Sequence, residues 1–418
     1  VKSINHLGII CYPELTLVVN NGTLPLPAVR GGAVETLIEL LIKENEKRKK
    51  FLFEVYSIYD EKALEAAKLY SYTSFCFVKT HDHRGAINHF VTRLVNYVSL
   101  RAKGFYHPFL LHRQIAKNVN KNKGDYAAII LEGTSYSAHY LKKKTGLPII
   151  QRVHNIPPRT AVRFTIQSAK STYLYMGISK FICQNLQQFE GKYCKNIELL
   201  YNSIDFSLFQ QFMPDEEKSC LRKMLGFDDK DFIIMFSGRL REFKGVKQLL
   251  EAMLLLSDIC DLKLLVVGSY FFSSSIQSSF EKSLLPLIKQ LGNRVKFTGF
   301  VEYKDMYKYY NIANLCAFPS IWEEPFALTC LEALVCGKPV VITKSGGMVE
   351  VVNEKCAVVL PNNSNLAENL AASIKELKGN LIKLSEMAVA AKTRARLFAP
   401  EIQYDRFSSL IEKYIHYE

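Results

Sequence analysis

Short apolar runs rich in β-branched and aromatic residues alternate with stretches of helical periodicity along the whole chain. In the first half these runs are HLGIICY, FLFEVYSIY, SFCFVK, YAAIILEG, LPIIQRVHN, YLYMGISK and IELLYNS. The second half continues with DFIIMFSGR, KLLVVGSY, RVKFTGFV, LCAFPS, KPVVITKS and KCAVVLPN. Near-continuous Val/Ile/Leu runs separated by helical stretches predict strands buried on both faces of parallel sheets. An α/β protein built from doubly wound, Rossmann-like domains follows. The 418 residues exceed what one core usually organises, so two domains of about 200 residues are expected.

The boundary falls in LLYNSIDFSLF, residues 199 to 209, where a strand ends in a polar turn ahead of the charged, turn-rich MPDEEKSCLRKMLGFDDKD. This places a first domain over 1–202 and a second over 203–402. In the terminal LFAPEIQYDRFSSLIEKYIHYE, Pro400 breaks one helix. An amphipathic helix then resumes, with Phe407, Leu410, Ile411 and Tyr414 on one face. This helix, over about 403–418, is expected to pack back onto the first domain.

No stretch approaches the roughly 20 uninterrupted apolar residues of a membrane span. The opening VKSINHLGIICYPELTLVVNNGTLP is interrupted by Cys-Tyr-Pro-Glu and lacks a small-residue cleavage site. It therefore reads as a buried strand and loop, and not as a signal peptide. The ten cysteines are scattered singly with no C-x-x-C, which argues for reduced, buried thiols and a cytoplasmic chain. Charge is divided unevenly: residues 1 to 200 carry 28 Lys+Arg against 14 Asp+Glu, and residues 201 to 418 carry 26 against 26. The whole net charge of +14 thus belongs to the first half, which suits an anionic partner such as lipid, a diphosphate or nucleic acid.

The most informative stretch is WEEPFALTCLEALVCGKPVV, residues 322 to 341. Pro325 marks a helix start, Gly337 a C-terminal cap, and Pro339 a stop. About three turns of helix are expected between them, beginning near Phe326 or Ala327. The first amides, on Phe326, Ala327 and Leu328, would lack intrahelical partners at the positive end of the helix dipole, which makes an anion site. Glu324 and Glu332 lie eight positions apart. Eight helical positions span about 12 Å, too far for the roughly 5 to 9.5 Å of a glycosidase pair. Two separated acceptors around an anion site suit instead an extended ligand with a central diphosphate and hydroxyls at both ends, the shape of a nucleotide sugar.

That stretch resembles the E-x7-E signature of the retaining glycosyltransferases of family 4. Their fold is GT-B, two Rossmann-like doubly wound domains facing across a cleft. Other segments agree in order: PLPAVRGGAVETLIELL with the N-terminal glycine loop, RVHN with a strand end near the acceptor, then GISKFI and LLYNSIDFSLF. In the second half FSGRLREFKGVKQLLEAM is similar to the phosphate-binding segment, followed by LLVVGS, VKFTGFV, LCAFPS and SGGMVEVV.

The resemblance implies roles. Glu332 would bind the nucleotide ribose and Glu324 the hydroxyls of the donor sugar, with Glu323 its non-functional neighbour. Arg239 and Lys244 would neutralise the leaving diphosphate, a guanidinium binding phosphate bidentately and an ammonium adding a compact charge. Arg241 reads as solvent-facing. Gly31 and Gly32 would let backbone approach the donor, and His154 would orient hydroxyls beside the reactive carbon. The helix end at Phe326, Ala327 and Leu328 would hold the phosphates, and backbone near Phe300 and Val301 the nucleobase. The family commonly has Gly where this chain has Ala327, which leaves the donor sugar open, and UDP, GDP, dTDP and ADP donors are all compatible. In such enzymes the leaving phosphate oxygen takes the acceptor's proton, so transition-state stabilisation is electrostatic.

No metal and no other cofactor is expected. Asp229-Lys230-Asp231 matches a D-x-D metal motif but lies in the turn before a strand, and His81-Asp82-His83 lacks a third ligand. From 93 to 123 the chain carries seven basic residues and no acidic one, interleaved with Tyr, Phe and Leu. Such a segment suits peripheral contact with anionic lipid on the inner face of the cell membrane. The expected acceptor is a saccharide or a polyprenyl-linked saccharide, in surface polysaccharide or glycoconjugate assembly. Three alternatives are a sugar-nucleotide epimerase or phosphorylase of the same architecture, a non-catalytic GT-B protein, and nucleic-acid binding. No nucleic-acid motif supports the last.

Overall fold

A computed structural model describes residues 7–11, 24–78, 109–121, 126–133, 137–156, 162–268 and 278–415, with only the backbone described for 7–11, 109–112 and 162–164. The chain divides into two compact units, Val1–Asn202 with Pro400–Glu418, and Ser203–Ala399.

The first unit holds seven strands: β1 Leu7–Cys11, β2 Phe53–Ile58, β3 Thr73–Val78, β4 Ala128–Glu132, β5 Ile149–Val153, β6 Leu174–Gly177 and β7 Ile197–Leu199. Their spatial order is β3-β2-β1-β4-β5-β6-β7, and every neighbouring pair is parallel. The central β4 and β5 are buried at every position, as continuous apolar strands covered on both faces must be.

The terminal helix Pro400–Tyr414 belongs to this unit. Pro400 opens the helix; it does not interrupt one, because the first turn needs no proline N–H. Tyr404, Phe407, Leu410 and Ile411 enter the same core as Phe51 and Phe53. Phe407 meets Phe51 edge-on at 5.9 Å. The Tyr404 hydroxyl donates to Asn45 Oδ1 at 2.6 Å, and Asn45 in turn secures the backbone of Phe51 through both its amide atoms. Tyr404 is an anchor that the apolar face read from sequence left out.

The second unit holds β8 Phe232–Ser237, β9 Leu262–Val267, β10 Val295–Gly299, β11 Leu315–Phe318, β12 Val340–Thr343 and β13 Ala357–Leu360. All are parallel, in the order β10-β9-β8-β11-β12-β13. Each of the apolar runs named above overlaps one of these strands or of the first unit's, β3 and β9 starting one residue before their runs. The chain builds outward from β8 to β10 and then returns to β11 on the other side of β8. The loops after β8 and β11 therefore leave in opposite directions, opening a crevice at their carboxyl ends where ligands of such sheets bind. Asp229-Lys230-Asp231 enters β8 from the opposite edge. There the buried Asp231 accepts from the Asp228 amide at 2.7 Å and closes a turn.

Candidate functional site

At the carboxyl edge of the second sheet, β8, β9 and β10 run into Gly238, Gly268 and Gly299, all at positive φ. The Gly238 amide donates to Val267 and the Gly268 amide to Gly299. A Cβ on Gly268 would lie 2.0 Å from the Gly238 carbonyl oxygen, so these strand ends meet backbone to backbone.

Beyond Gly238, Arg239 is exposed and Leu240 buried; a 3-10 turn, Glu242–Lys244, then leads through Gly245 into the helix Val246–Leu255. Gly245, at φ 75, presses on the Pro319 carbonyl, which a Cβ would meet at 1.8 Å. This close approach ties the β8 loop to the β11 loop. The Phe243 carbonyl accepts from the Ile321 amide at 2.9 Å and the Ser320 hydroxyl at 3.2 Å.

The consequence is a defined ion pair. Lys244 Nζ donates to Glu324 Oε1 at 2.5 Å, and Ser320 Oγ lies 2.8 Å from the same oxygen. The Glu324 side chain is 8% exposed and that of Lys244 23%. Glu324 is held by its backbone as well: its carbonyl accepts from the Gly347 amide, and its amide donates to Ser345 Oγ. Among the described residues, Glu324 Oε2 makes no hydrogen bond and Lys244 makes no second one. One acceptor and two donors thus remain for a ligand. Glu323, the neighbour set aside on spacing, is exposed and accepts from the Gly346 amide. Trp322 packs on Phe243 at 5.0 Å, and Lys244 Nζ lies 6.0 Å from the Trp322 ring. Arg241, read as solvent-facing, is half-buried, whereas Arg239 is the exposed one.

The helix after Glu324 spans Leu328–Val335, eight residues, with Ala327 as N-cap. It starts later and is shorter than the three turns expected, since the Leu331 amide makes the first intrahelical bond, to Ala327. The amides without intrahelical partners are then those of Ala327, Leu328, Thr329 and Cys330, and Phe326 falls outside the set. Its ring instead packs edge-on against Phe398 at 5.8 Å. Glu324 is not helical, so the separation of about 12 Å drawn from eight helical positions does not apply.

Glu332 lies in the second turn. Its Oε2 accepts from the Tyr310 hydroxyl at 2.8 Å, and Tyr310 meets Ser237 Oγ at 2.6 Å. Burial pushes the Glu332 carboxyl up to about 7, the Tyr310 bond pulling only slightly the other way. Near neutrality this carboxyl passes between acceptor-only and donor-acceptor states. Phe300 and Val301 follow the end of β10 on the same carboxyl edge.

In the first unit, Gly31 and Gly32 lie at φ 75 and 105 ahead of the helix Ala33–Arg48. A Cβ on Gly32 would fall 2.2 Å from Glu35 Oε2, so the helix's own first-turn carboxylate stands beside this glycine. His154, just past β5, is buried, and its Nε2 lies 2.8 Å from Glu132 Oε2 at the end of β4. Glu132 pairs in register with Arg152, whose Nη1 is 3.6 Å from Glu132 Oε1 and whose Nη2 donates to Asn202 at 3.0 Å. Burial raises the Glu132 carboxyl, but Arg152 and His154 outweigh it and hold it below its ordinary value. Glu132 and Arg152 escaped the sequence reading; the one signal was a carboxylate and a guanidinium closing two otherwise apolar strand runs.

The structure thus joins Lys244 to Glu324 directly and places Arg239, Val301, Ala327, Leu328 and Glu332 around the same sheet edge. Gly31, Gly32 and His154 belong to the other unit. Of the basic segment 93–123, the described part is the helix Phe109–Lys121. Ile115, Ala116 and Val119 fill the protein's core, and Arg113, Lys117 and Lys121 face outward. His81-Asp82-His83 lies outside the described residues. Among the described residues no cluster of three potential ligands is disposed to hold a metal, and no helix is long and apolar enough to cross a membrane.

Comparison with known proteins adds similarities. Residues 217–396 match the family Glycosyl transferases group 1. The chain is 30% identical over 193 residues to an uncharacterized glycosyltransferase of Methanocaldococcus jannaschii, covering 46% of each. It is 28% identical over 257 residues to the GDP-mannose-dependent monoacylated alpha-(1-6)-phosphatidylinositol monomannoside mannosyltransferase of Corynebacterium glutamicum, covering 59% of this chain and 65% of that one. The matched part therefore spans about half to two thirds of these relatives' length. Among solved structures, a Rickettsia africae glycosyltransferase superposes with a TM-score of 0.73 at 19% identity, covering both chains fully. Anabaena HepE in complex with UDP gives 0.71 at 20% identity, over 98% of this chain and 100% of that one. Residues 217–396 are thus similar to the glycosyl transferases group 1, and the fold of the chain is GT-B, two Rossmann-like domains.

Proposed function

We propose that this protein is a retaining, metal-independent glycosyltransferase whose second unit binds a nucleoside-diphosphate sugar. The carrying observation is the Lys244–Glu324 pair at the sheet's switch point, with one acceptor and two donors left open. Lys244 donates to the diphosphate, Arg239 adds a bidentate contact, and the helix end from Ala327 to Cys330 supplies backbone amides. Glu324 Oε2 accepts a hydroxyl of the donor sugar and Glu332 the ribose. During transfer the bond from the anomeric carbon to phosphate oxygen breaks and a bond to the acceptor oxygen forms on the same face. The departing phosphate oxygen takes the acceptor's proton, and its growing negative charge is what the cationic groups stabilise.

The acceptor on this reading is a saccharide or a polyprenyl-linked saccharide. A relative named as a phosphatidylinositol mannoside mannosyltransferase and another named as a lipopolysaccharide 1,2-N-acetylglucosaminetransferase support a lipid-linked or envelope glycan. Contact with anionic lipid rests on the outward Arg113, Lys117 and Lys121, since the apolar face of that helix is consumed by the core.

A thermal-shift panel of nucleotide sugars tests the donor site. A ligand at a hundred times its dissociation constant adds about 2.7 kcal/mol of stability. Lys244→Met or Glu332→Gln should abolish the shift, and a shift that survives in both variants removes the site assignment. Activity that persists in excess chelator is expected; loss to chelator and recovery with manganese would overturn metal independence.

A further inference from the structure

His154 is held by more than its strand. One ring nitrogen meets the Glu132 carboxylate at 2.8 Å, while the other, Nδ1, is buried with no hydrogen-bond partner among the described residues. The carboxylate has no freedom to leave: Glu132 is fully buried, in register with Arg152, and Arg152 is itself tied to Asn202. The relay Asn202–Arg152–Glu132–His154 therefore runs across two strand ends and terminates in an unused nitrogen.

Chemistry fixes what that nitrogen offers. An ionised carboxylate only accepts, so the ring must carry its proton on Nε2, leaving Nδ1 with a lone pair. Such an Nδ1 accepts from a hydroxyl and rejects a phosphate oxygen, which has no proton to give.

We propose that Glu132 is a positioning residue, locking His154 in the Nε2–H tautomer so that Nδ1 accepts a hydrogen bond from a substrate hydroxyl. That the hydroxyl is a sugar's rests on the transferase reading; the tautomer does not. The arrangement parallels the general use of a buried acid to orient a catalytic imidazole, here with the imidazole as acceptor.

The test combines a spectrum and kinetics on the full chain. With nitrogen-15-labelled histidine at pH 8, long-range proton–nitrogen correlations, assigned to His154 by their loss in His154→Asn, should show the Nε2–H tautomer alone. Glu132→Gln should average the two tautomers, because its amide both donates and accepts. On the nucleotide sugar selected by the thermal panel, the same variant should lower kcat on the order of 10²-fold and leave the donor KM within about two-fold of wild type, a split that merely structural damage would not produce. An Nδ1–H tautomer or a mixture in the wild type overturns the proposal, as does wild-type kcat in Glu132→Gln. If that variant does not fold, the wild-type spectrum decides. If the wild type shows the locked tautomer but transfers no sugar, the transferase reading falls and the positioning of His154 stands.

Discussion

Each unit of the chain carries an ion-paired glutamate at the carboxyl ends of its central strands, and the two clusters are built to opposite ends. Glu132 in the first unit is sealed: fully buried and flanked by Arg152 at 3.6 Å and His154 at 2.8 Å, with Glu132 Oε1, Arg152 Nε and Nη1 and His154 Nδ1 buried and without hydrogen bonds among the described residues. Glu324 in the second unit is paired at one oxygen and open at the other, and its lysine keeps two spare protons. A sealed pair fixes a neighbour's geometry, whereas an open one can exchange its internal partner for a ligand. The contrast assigns orientation to the first cluster and binding to the second.

The largest effect that could break this comparison comes from deleting each cation. Lys244→Met should lower transfer by about 10²- to 10³-fold, the loss typical of removing one transition-state donor. Its unfolding free energy should fall by only about 1–3 kcal/mol, the worth of one charged hydrogen bond. Arg152→Met leaves a fully buried carboxylate without its cation and should cost about 3–5 kcal/mol of stability. Urea unfolding beside initial rates separates the two; equal stability losses would mean that both pairs are structural.

The same comparison should appear in pH. Glu132 is depressed when folded, so its contribution is present above its unfolded value of about 4.5 and is lost as pH falls through the lower folded value. Glu332 is raised to about 7, so its contribution is full below about 4.5 and is lost as pH rises through about 7, by up to about 3 kcal/mol. Between those limits the second unit should weaken on alkalinisation, and Glu332→Gln should flatten the slope. Denaturation followed from pH 4.5 to 8 checks it, and an unchanged slope in the variant would show that Glu332 titrates normally.

Ligand binding should run against that stability trend. A ribose diol presents two donors, which an ionised Glu332 accepts better than a protonated one. Donor affinity should therefore climb as pH passes about 7, losing roughly tenfold per pH unit below it. Calorimetry in buffers of different ionisation enthalpy should detect proton release on binding at pH 6. Affinity independent of pH in the wild type would place the ribose elsewhere.

Legibility followed the reach of each physical rule. The strands could be read because a parallel strand covered on both faces needs a continuous apolar run, and each run named yielded one. Lys244 and Glu324 were both named, but not their pairing, because it depends on Gly245 lying against Pro319 and on Phe243 bonding across to Ile321, contacts between segments some 75 positions apart. Phe326 was misassigned because helix ends are the least certain feature of a pattern; the chain enters its helix only at Leu328. Glu132 could not be read at all. A carboxylate closing a strand looks like any strand end until β4 and β5 are laid side by side and Arg152 falls opposite it.

The smallest effect concerns Trp322, the chain's one tryptophan. It packs against Phe243 at 5.0 Å while Lys244 Nζ sits 6.0 Å from its ring. A partly exposed cation over aromatic faces gains about 0.5–1 kcal/mol, so Trp322→Leu should weaken donor binding by only about two- to five-fold. Because no other tryptophan contributes, its fluorescence reports on the open cluster alone: wild-type emission should change on adding donor, and Lys244→Met should abolish the change. The sealed cluster predicts the opposite control. Glu132→Gln should leave the donor-induced emission change and its midpoint intact, since it acts on His154 and not on the diphosphate contacts. Loss of the signal in Glu132→Gln would couple the two clusters and remove the division of labour drawn here.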